Sequence, residues 1–266
     1  MKPLLVVEHE ADAGPGRLVP FLSRTGPLTL CRPYAGDPLP DDADGHAGVV
    51  VLGGEVAAWE DERAPWLPAT RRLLARATAD GAPVLGICLG AQLLTLACGG
   101  RVEPGGAGLE VGLTGVRVLP GIGRDDPLLA AVLGAVAGVD APGDGAVDGA
   151  NGFRSDFLAP QYHRDAITEL PPDAELLAVG QVYRVQAFRI GERAWGVQYH
   201  PEVTGEDFAA WTEGGHASLV AAGHDPAALR ASVTSADRYL DTVAAAHGDG
   251  FGTIRPSIMG SVLKPD

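Results

Sequence analysis

Short apolar runs alternate along the chain with longer stretches whose apolar residues recur at helical spacing, the pattern of an α/β protein. Leu4 to Glu8 reads as a first strand that ends in polar residues, as strands do at an edge that carries a site. Leu28 to Cys31, His46 to Leu52 and Pro83 to Ile87 read as further strands, and Gly53-Gly54 closes the third of these four. Between them, Arg17 to Arg24 predicts a helix weakened by Pro20. Ala64 to Ala79 places Leu67, Leu73, Leu74 and Ala77 on one helical face, with Pro65 suited to the first turn. Ala91 to Ala97 is a further helical stretch.

Beyond residue 110 the rhythm changes. Thr114 to Leu119, Glu175 to Val179, Val185 to Ile190 and Ala194 to Tyr199 read as strands without long helices between them. This predicts an open mixed sheet, parallel first and then extended by antiparallel strands. Residues 134–150, rich in Gly, Ala and Asp, read as a flexible loop. Ala209 to Ala222 and Pro226 to Ala246 read as two closing helices, and the stretch from Gly248 has no clear pattern. There is no internal repeat and no convincing linker. The expected organisation is a sheet-bearing domain over residues 1–205, with a helical extension and tail over 206–266 packed on the same domain.

Composition narrows the functions open to such a fold. The 266 residues suffice for a sizeable buried core, and 46% apolar with 20% charged residues is a soluble globular balance. The 34 acidic residues against 20 Lys and Arg give a formal charge of -14, which repels phosphate backbones and anionic membranes. Nucleic acid and membrane are therefore poor partners. No run approaches the roughly 18 apolar residues of a membrane span, and the apolar run at the N-terminus is too short for a signal peptide. Three cysteines make no disulfide framework. A cytoplasmic enzyme is the expectation.

The richest segment runs from Pro83 to Gln92, where an apolar strand enters Gly86-Ile87-Cys88-Leu89-Gly90 and a helical pattern follows at once. This is the strand–turn–helix setting of a nucleophile elbow, with cysteine as nucleophile. Gly86 and Gly90 permit the close approach that a sharp turn needs. The helix N-terminus favours a thiolate at Cys88, and the Leu89 N–H points where an oxyanion would develop. The ordinary alternative, a buried apolar cysteine, suits Cys31 and Cys98.

A thiol nucleophile needs a base, and the base needs an orienting group. His200 ends the apolar strand Trp195-Gly196-Val197-Gln198-Tyr199, Pro201 stops that strand, and Glu202 is close enough to accept the second imidazole N–H. His163, in Gln161-Tyr162-His163-Arg164-Asp165, is the competing histidine: it either orients substrate or caps a loop. His9, His46, His216, His224 and His247 read as surface or loop residues.

Taken together, these residues resemble the class I (triad) glutamine amidotransferases. The Gly86–Gln92 elbow and the Gly196–Glu202 strand resemble that family's two signatures, and Val49 to Gly54 resembles its oxyanion loop. The order and spacing of the motifs match from about residue 45 to 205. The resemblance implies a flavodoxin-like open mixed sheet of seven or more strands, flanked by helices. It implies that Cys88 attacks the side-chain amide of L-glutamine, that His200 gives a proton to the leaving ammonia, and that water hydrolyses the glutamyl thioester. Gly53 and Gly54 with Leu89 would form the oxyanion site. Gln92 matches a substrate-contacting position, Val111-Gly112 a place of further backbone contacts, and Tyr162 and His163 a segment that binds the amino-acid end of the substrate. Neither metal nor cofactor is implied. One departure stands out: Glu55 occupies the place where the family often has proline.

Three functions remain open at this point. In the first, ammonia passes to a separate synthase subunit, because the sequence has no phosphate-binding loop with which to activate an acceptor by itself. In the second, the protein is a free-standing hydrolase or transferase of γ-glutamyl amides or peptides, a reading the His163-Arg164-Asp165 segment favours. In the third, the fold serves as a binding or regulatory domain without catalysis. Free glutamine against γ-glutamyl amines discriminates the first two.

Overall fold

The computed structural model describes residues 2–142 and 153–254. Strands β1 (Leu4–Val7), β2 (Leu28–Cys31), β3 (Val49–Val51) and β4 (Val84–Ile87) are joined by the short helix α1 (Val19–Leu22) and by α2 (Leu67–Ala79). After β4 come α3 (Leu89–Ala97), β5 (Arg101–Pro104), β6 (Glu110–Val118), α4 (Ile122–Asp125) and α5 (Pro127–Val136). Five strands follow: β7 (Phe157–His163), β8 (Asp165–Glu169), β9 (Ala174–Val179), β10 (Ala187–Ile190) and β11 (Ala194–Val197). The chain then runs through α6 (Gly205–Gly214), α7 (His216–Ala221), α8 (Pro226–Ser235) and α9 (Asp237–Ile254).

Among the described residues nine strands form one sheet in the order β2-β1-β3-β4-β11-β10-β9-β6-β7. The first five are parallel to one another, and from β11 onward each neighbour is antiparallel. The expected mixed α/β sheet flanked by helices is therefore present, with the change of direction at β11. Strand alternation decides the two cores. Leu4 and Val6 face one side, where Trp195, Phe208, Leu240 and Phe251 join them. Leu5 and Val7 face the other, against Leu67, Leu73 and Leu74 of α2 and Leu93 and Leu94 of α3. Burial on both faces explains why β1, β3 and β4 read as continuous apolar runs.

Several boundaries differ from the sequence expectation. Helix α2 begins at Leu67 with Pro68, rather than Pro65, in its first turn. The Arg17–Arg24 segment breaks into 3₁₀ turns around the four residues of α1, in keeping with Pro20. Residues 134–136 are the end of α5 instead of a loop, and 143–150 lie outside the described residues. Asp126 starts α5 by accepting from the Leu128 and Leu129 N–H groups, a cap whose apolar helix hid it among Ala and Gly. The segment beyond Gly248 continues as helix to Ile254, and 255–266 lie outside the described residues. Strands β5, β7 and β8 were not anticipated. β7 carries Pro160 and pairs only along one side, as an edge strand permits.

The C-terminal helices pack on the sheet-bearing part: α9 lies against α5 and α1, and α8 against β6. Buried Arg17 ties the two parts together. Its backbone N–H donates to the Glu202 carbonyl at 2.7 Å, its Nε donates to the Val203 carbonyl at 2.8 Å, and its guanidinium pairs with Asp237 and Asp241 of α9.

Candidate active site

The parallel strands β1, β3, β4 and β11 all end on the same edge, where open α/β sheets gather their sites. Cys88 follows β4 and caps α3 with φ 51° and ψ -107°. Among the described residues it is the one non-glycine with positive φ. Such strain persists only where surrounding structure holds it. The Cys88 N–H donates to the Val197 carbonyl at 2.8 Å, which pins the turn to β11. The flanking glycines are steric necessities: a Cβ on Gly90 would lie 2.0 Å from the Val51 carbonyl oxygen, and one on Gly86 2.5 Å from that of Gly90. The elbow can thus sit directly on the end of β3.

His200 lies three residues beyond β11, with its N–H donating to the Pro160 carbonyl of β7 at 2.9 Å. Its Nδ1 is 2.6 Å from Glu202 Oε1, and both side chains are buried. A carboxylate acceptor makes Nδ1 the donor and directs Nε2 elsewhere. Burial alone would push the His200 pKa down. The Glu202 carboxylate and the Cys88 sulfur together outweigh it and raise the value to about 10. Nε2 itself has no hydrogen bond of normal geometry. A Cβ on Gly53 would stand 3.0 Å from His200 Cε1 and 3.6 Å from Cys88 Cβ, so the thiol and imidazole sit side by side against the end of β3. Thiol, imidazole and carboxylate therefore stand in series, the order of a nucleophile, its proton-transfer partner and the group that orients that partner.

The other anticipated residues surround this series. Gly54 borders the cleft at Cys88. Leu89 occupies the first position of α3, where a helix N–H has no intrahelical acceptor. Gln92, one turn into α3, is buried, with Nε2 3.3 Å from Gln198 Oε1. Tyr162 and His163 both line the cleft from β7. His163 Nδ1 donates to the Asp165 carbonyl at 3.1 Å, and Nε2 lies 3.1 Å from the buried Glu110 carboxylate. Glu110 also accepts from Gln186 Nε2 at 3.1 Å, and Gln186 Oε1 accepts from Gln161 Nε2 at 2.6 Å. His163 is thus fixed by a buried polar chain. Val111 and Gly112 pair with Tyr162 and Gln161 inside the β6–β7 ladder, and it is Leu109, just ahead of β6, that reaches the cleft.

Sequence reasoning missed several residues at the site. Glu10 and Asp12 follow β1 and line the cleft beside His200. Trp211 of α6 packs edge-on against the His200 ring, centroids 5.0 Å apart, and its indole N–H donates to the Asp12 carbonyl at 2.9 Å. The only signal was the polar run after β1; nothing in the helical pattern of α6 set Trp211 apart. Two of the histidines read as surface or loop residues, His9 and His247, are buried. His9 Nδ1 accepts from Trp66 Nε1 at 3.0 Å, and His247 stands between the Tyr199 hydroxyl and the Val243 carbonyl, 2.8 Å from each. Burial lowers the pKa of each to about 4. Among the described residues no group of three His, Cys, Asp or Glu side chains is placed to share a metal ion. Nor is any helix there long and apolar enough to cross a membrane.

A sequence profile of the family Glutamine amidotransferase class-I matches residues 41–212. The chain belongs to that family. The match takes in β3, the Cys88 elbow and the His200–Glu202 turn. Among relatives, a GMP synthase [glutamine-hydrolyzing] of Porphyromonas gingivalis is 31% identical over 176 residues, which is 66% of this chain and 28% of the relative. Gamma-glutamyl peptidase 3 of Arabidopsis thaliana is 29% identical over 166 residues, 62% of this chain and 58% of the peptidase. The chain thus spans less than a third of the synthase. A solved glutamine amidotransferase of Thermotoga maritima superposes with a TM-score of 0.75 at 22% identity, covering 94% of this chain and 97% of that one. At that identity the likeness speaks for the fold alone, and it extends through the C-terminal helices of this class-I amidotransferase.

Proposed function

We propose that the protein is a cysteine-dependent hydrolase of the glutaminyl side-chain amide that works through a Cys88 glutamyl thioester. The observation that carries this reading is the buried series Cys88, His200, Glu202 at a strained elbow. With its pKa raised to about 10, His200 is imidazolium at neutral pH, which suits a thiolate partner and a proton donor. The sulfur attacks the amide carbon, and the Gly54 and Leu89 N–H groups hold the oxyanion, with Gly53 shaping that loop. The C–N bond breaks as His200 protonates the leaving nitrogen. Water then adds to the thioester carbon, giving its proton to His200, and the C–S bond breaks to release glutamate. Gln92, Tyr162 and His163 line the glutamyl side and bind substrate there.

Two fates of the leaving group follow. With L-glutamine the product is ammonia, supplied to a separate acceptor enzyme, a reading supported by the glutamine-hydrolysing synthases among the relatives. The γ-glutamyl peptidase relatives support a second reading, hydrolysis of γ-glutamyl amides. We assign catalysis to residues 1–205 and a docking or bracing role to 206–266, on the strength of Arg17 bridging the Glu202 turn to α9. The three free thiols Cys31, Cys88 and Cys98 favour a reducing, cytoplasmic setting.

The test is intact-mass analysis after exposure to a diazo-ketone analogue of glutamine, with Cys88→Ala as control. A single adduct mapping to Cys88 is expected. An adduct elsewhere, or amide hydrolysis that survives in Cys88→Ala, overturns the reading.

A further inference from the structure

Two cavities meet at Cys88, and their charges differ. The first, about 430 Å³, is bordered by Glu60, Arg63, Arg164 and Asp165 as well as Gln92 and His163. It carries both signs of charge, as the ammonium and carboxylate of a glutamyl group require. The second, about 370 Å³, is bordered by Glu10, Asp12, Glu55, His200 and Trp211, and apart from the His200 imidazolium, which Glu202 balances, no cationic side chain lines it. Glu55 borders both cavities and reaches Arg63 of the first at 3.6 Å. His200 is 3% exposed and borders this second cavity and not the first; with Nδ1 held by Glu202, Nε2 is the atom left to face Cys88 and that cavity. A group that protonates the leaving nitrogen faces the leaving group, so the second cavity is the leaving-group side.

Ammonia does not explain this side. It needs roughly 30 Å³, the share of a water-sized molecule, and as a neutral leaving group it gains no charge pairing from Glu10 and Asp12. We propose that the leaving group is a cationic amine, so that the substrate class is the γ-glutamyl amides of diamines or polyamines, with the distal ammonium facing Glu10 and Asp12. The inference rests on the thioester reading above. Chemically the step is the same: the C–N bond breaks, the His200 proton goes to the departing nitrogen, water takes its place on carbon, and glutamate and the free diamine leave.

Further observations agree. Burial first, and then the charges of Asp12 and Glu55, raise the Glu10 pKa despite a hydrogen bond from the Glu55 backbone and the charge of Arg63. A bound ammonium relieves that repulsion. Trp211 borders the same cavity, held by its bond to the Asp12 carbonyl, and adds an aromatic ring to the wall beside an alkyl-ammonium chain.

The experiment compares kcat/KM for three γ-glutamyl amides of similar length, made from diaminobutane, n-pentylamine and aminobutyrate. The cationic amide is expected to exceed the neutral one by about tenfold, two partly exposed charge contacts contributing a few-fold each, and to exceed the anionic one by more. In Glu10→Gln/Asp12→Asn the cationic-to-neutral ratio falls toward one. High salt lowers the same ratio in the unmodified protein, which serves if the double variant does not fold. Equal rates for the cationic and neutral amides, preference for the anionic amide, or a ratio indifferent to both the substitutions and salt overturns the inference. Calorimetric binding of the three amides to Cys88→Ala separates the two failures. Charge-selective binding without turnover in the unmodified protein sinks the thioester reading and keeps the cationic pocket. Turnover without charge preference sinks the pocket alone.

Discussion

The parallel and antiparallel halves of the sheet contribute to the cleft in different ways. The parallel half carries the proposed chemistry at its ends: Cys88 follows β4, His200 and Glu202 follow β11, and Gly53 and Gly54 follow β3. The antiparallel half ends in shape. It supplies Tyr162 and His163 from β7, the latter held by the buried chain through Glu110, Gln186 and Gln161. A parallel strand buried on both faces exposes functional groups only at its ends, so its reactive residues fall in short turns. An antiparallel ribbon presents alternate residues along its length, so its contacts are dispersed through ordinary strand sequence.

The comparison predicts unequal responses to substitution. Cys88→Ala should remove amide turnover by roughly 10⁴-fold or more with the unfolding midpoint little changed, because it deletes only the reacting sulfur. Retained activity in a steady-state assay would show that the parallel half does not hold the chemistry. Glu202→Gln should cost at least roughly tenfold less than Cys88→Ala, since it loosens His200 without removing a reacting group. A loss as large as that of Cys88→Ala would mean that Glu202 does more than orient.

At the seam, Asp126 accepts from Trp195 of β11 and Arg189 of β10 as well as capping α5. Asp126→Ala should destabilise the fold by about 2–4 kcal/mol in urea melts, leaving a buried indole N–H unpaired and the helix uncapped. A change within error would show the two halves fold independently of that junction.

Protonation offers a gentler probe. His200 gains its proton more readily in the folded state, so its contribution to stability is fully present below about pH 6.5, the ordinary imidazole value. It is lost as pH rises toward about 10. His9 and His247 have the opposite sign. Neutral in the fold until about pH 4, they cost stability as pH falls from about 6.5, because the unfolded chain takes up those protons first. Thermal melts across this range should show decline on both sides, the alkaline decline shrinking in Glu202→Gln and the acid decline in His247→Gln. Melting points that do not respond to either substitution would contradict these assignments. The smallest effect is expected at Tyr162→Phe, whose hydroxyl reaches the Trp211 carbonyl only at 3.5 Å, the limit of a hydrogen bond. Its stability should change by less than about 0.5 kcal/mol in the same melts.

Much of this was legible in sequence because the relevant signals are local. A strand running into Gly-Ile-Cys-Leu-Gly and then a helical repeat specifies an elbow within ten residues. Gly90 must be glycine because β3 lies against it, and a sharp turn announces that need. His200 and Glu202 lie two residues apart on a strand end closed by Pro201. The parallel strands were read from continuous apolar runs, and the change to antiparallel pairing from strands lacking intervening helices.

The rest depends on contacts between residues far apart in the chain. Helix α5 hid in an Ala- and Gly-rich stretch because its stability comes from packing on α9 and from the Asp126 cap, not from a polar-apolar stripe. His9 and His247 carry no sequence mark of burial; Trp66, 57 residues away from His9, and Tyr199, 48 away from His247, supply it. Glu10, Asp12 and Trp211 become one wall only when α6 folds back on the loop after β1, 199 residues apart along the chain. Local sequence was enough to place Cys88 at a sharp strand-to-helix turn and to set Glu202 two residues from His200 at a strand end. Which charges border the cleft depends on packing, because covalent neighbours can set a turn but only folding sets the field across a cleft.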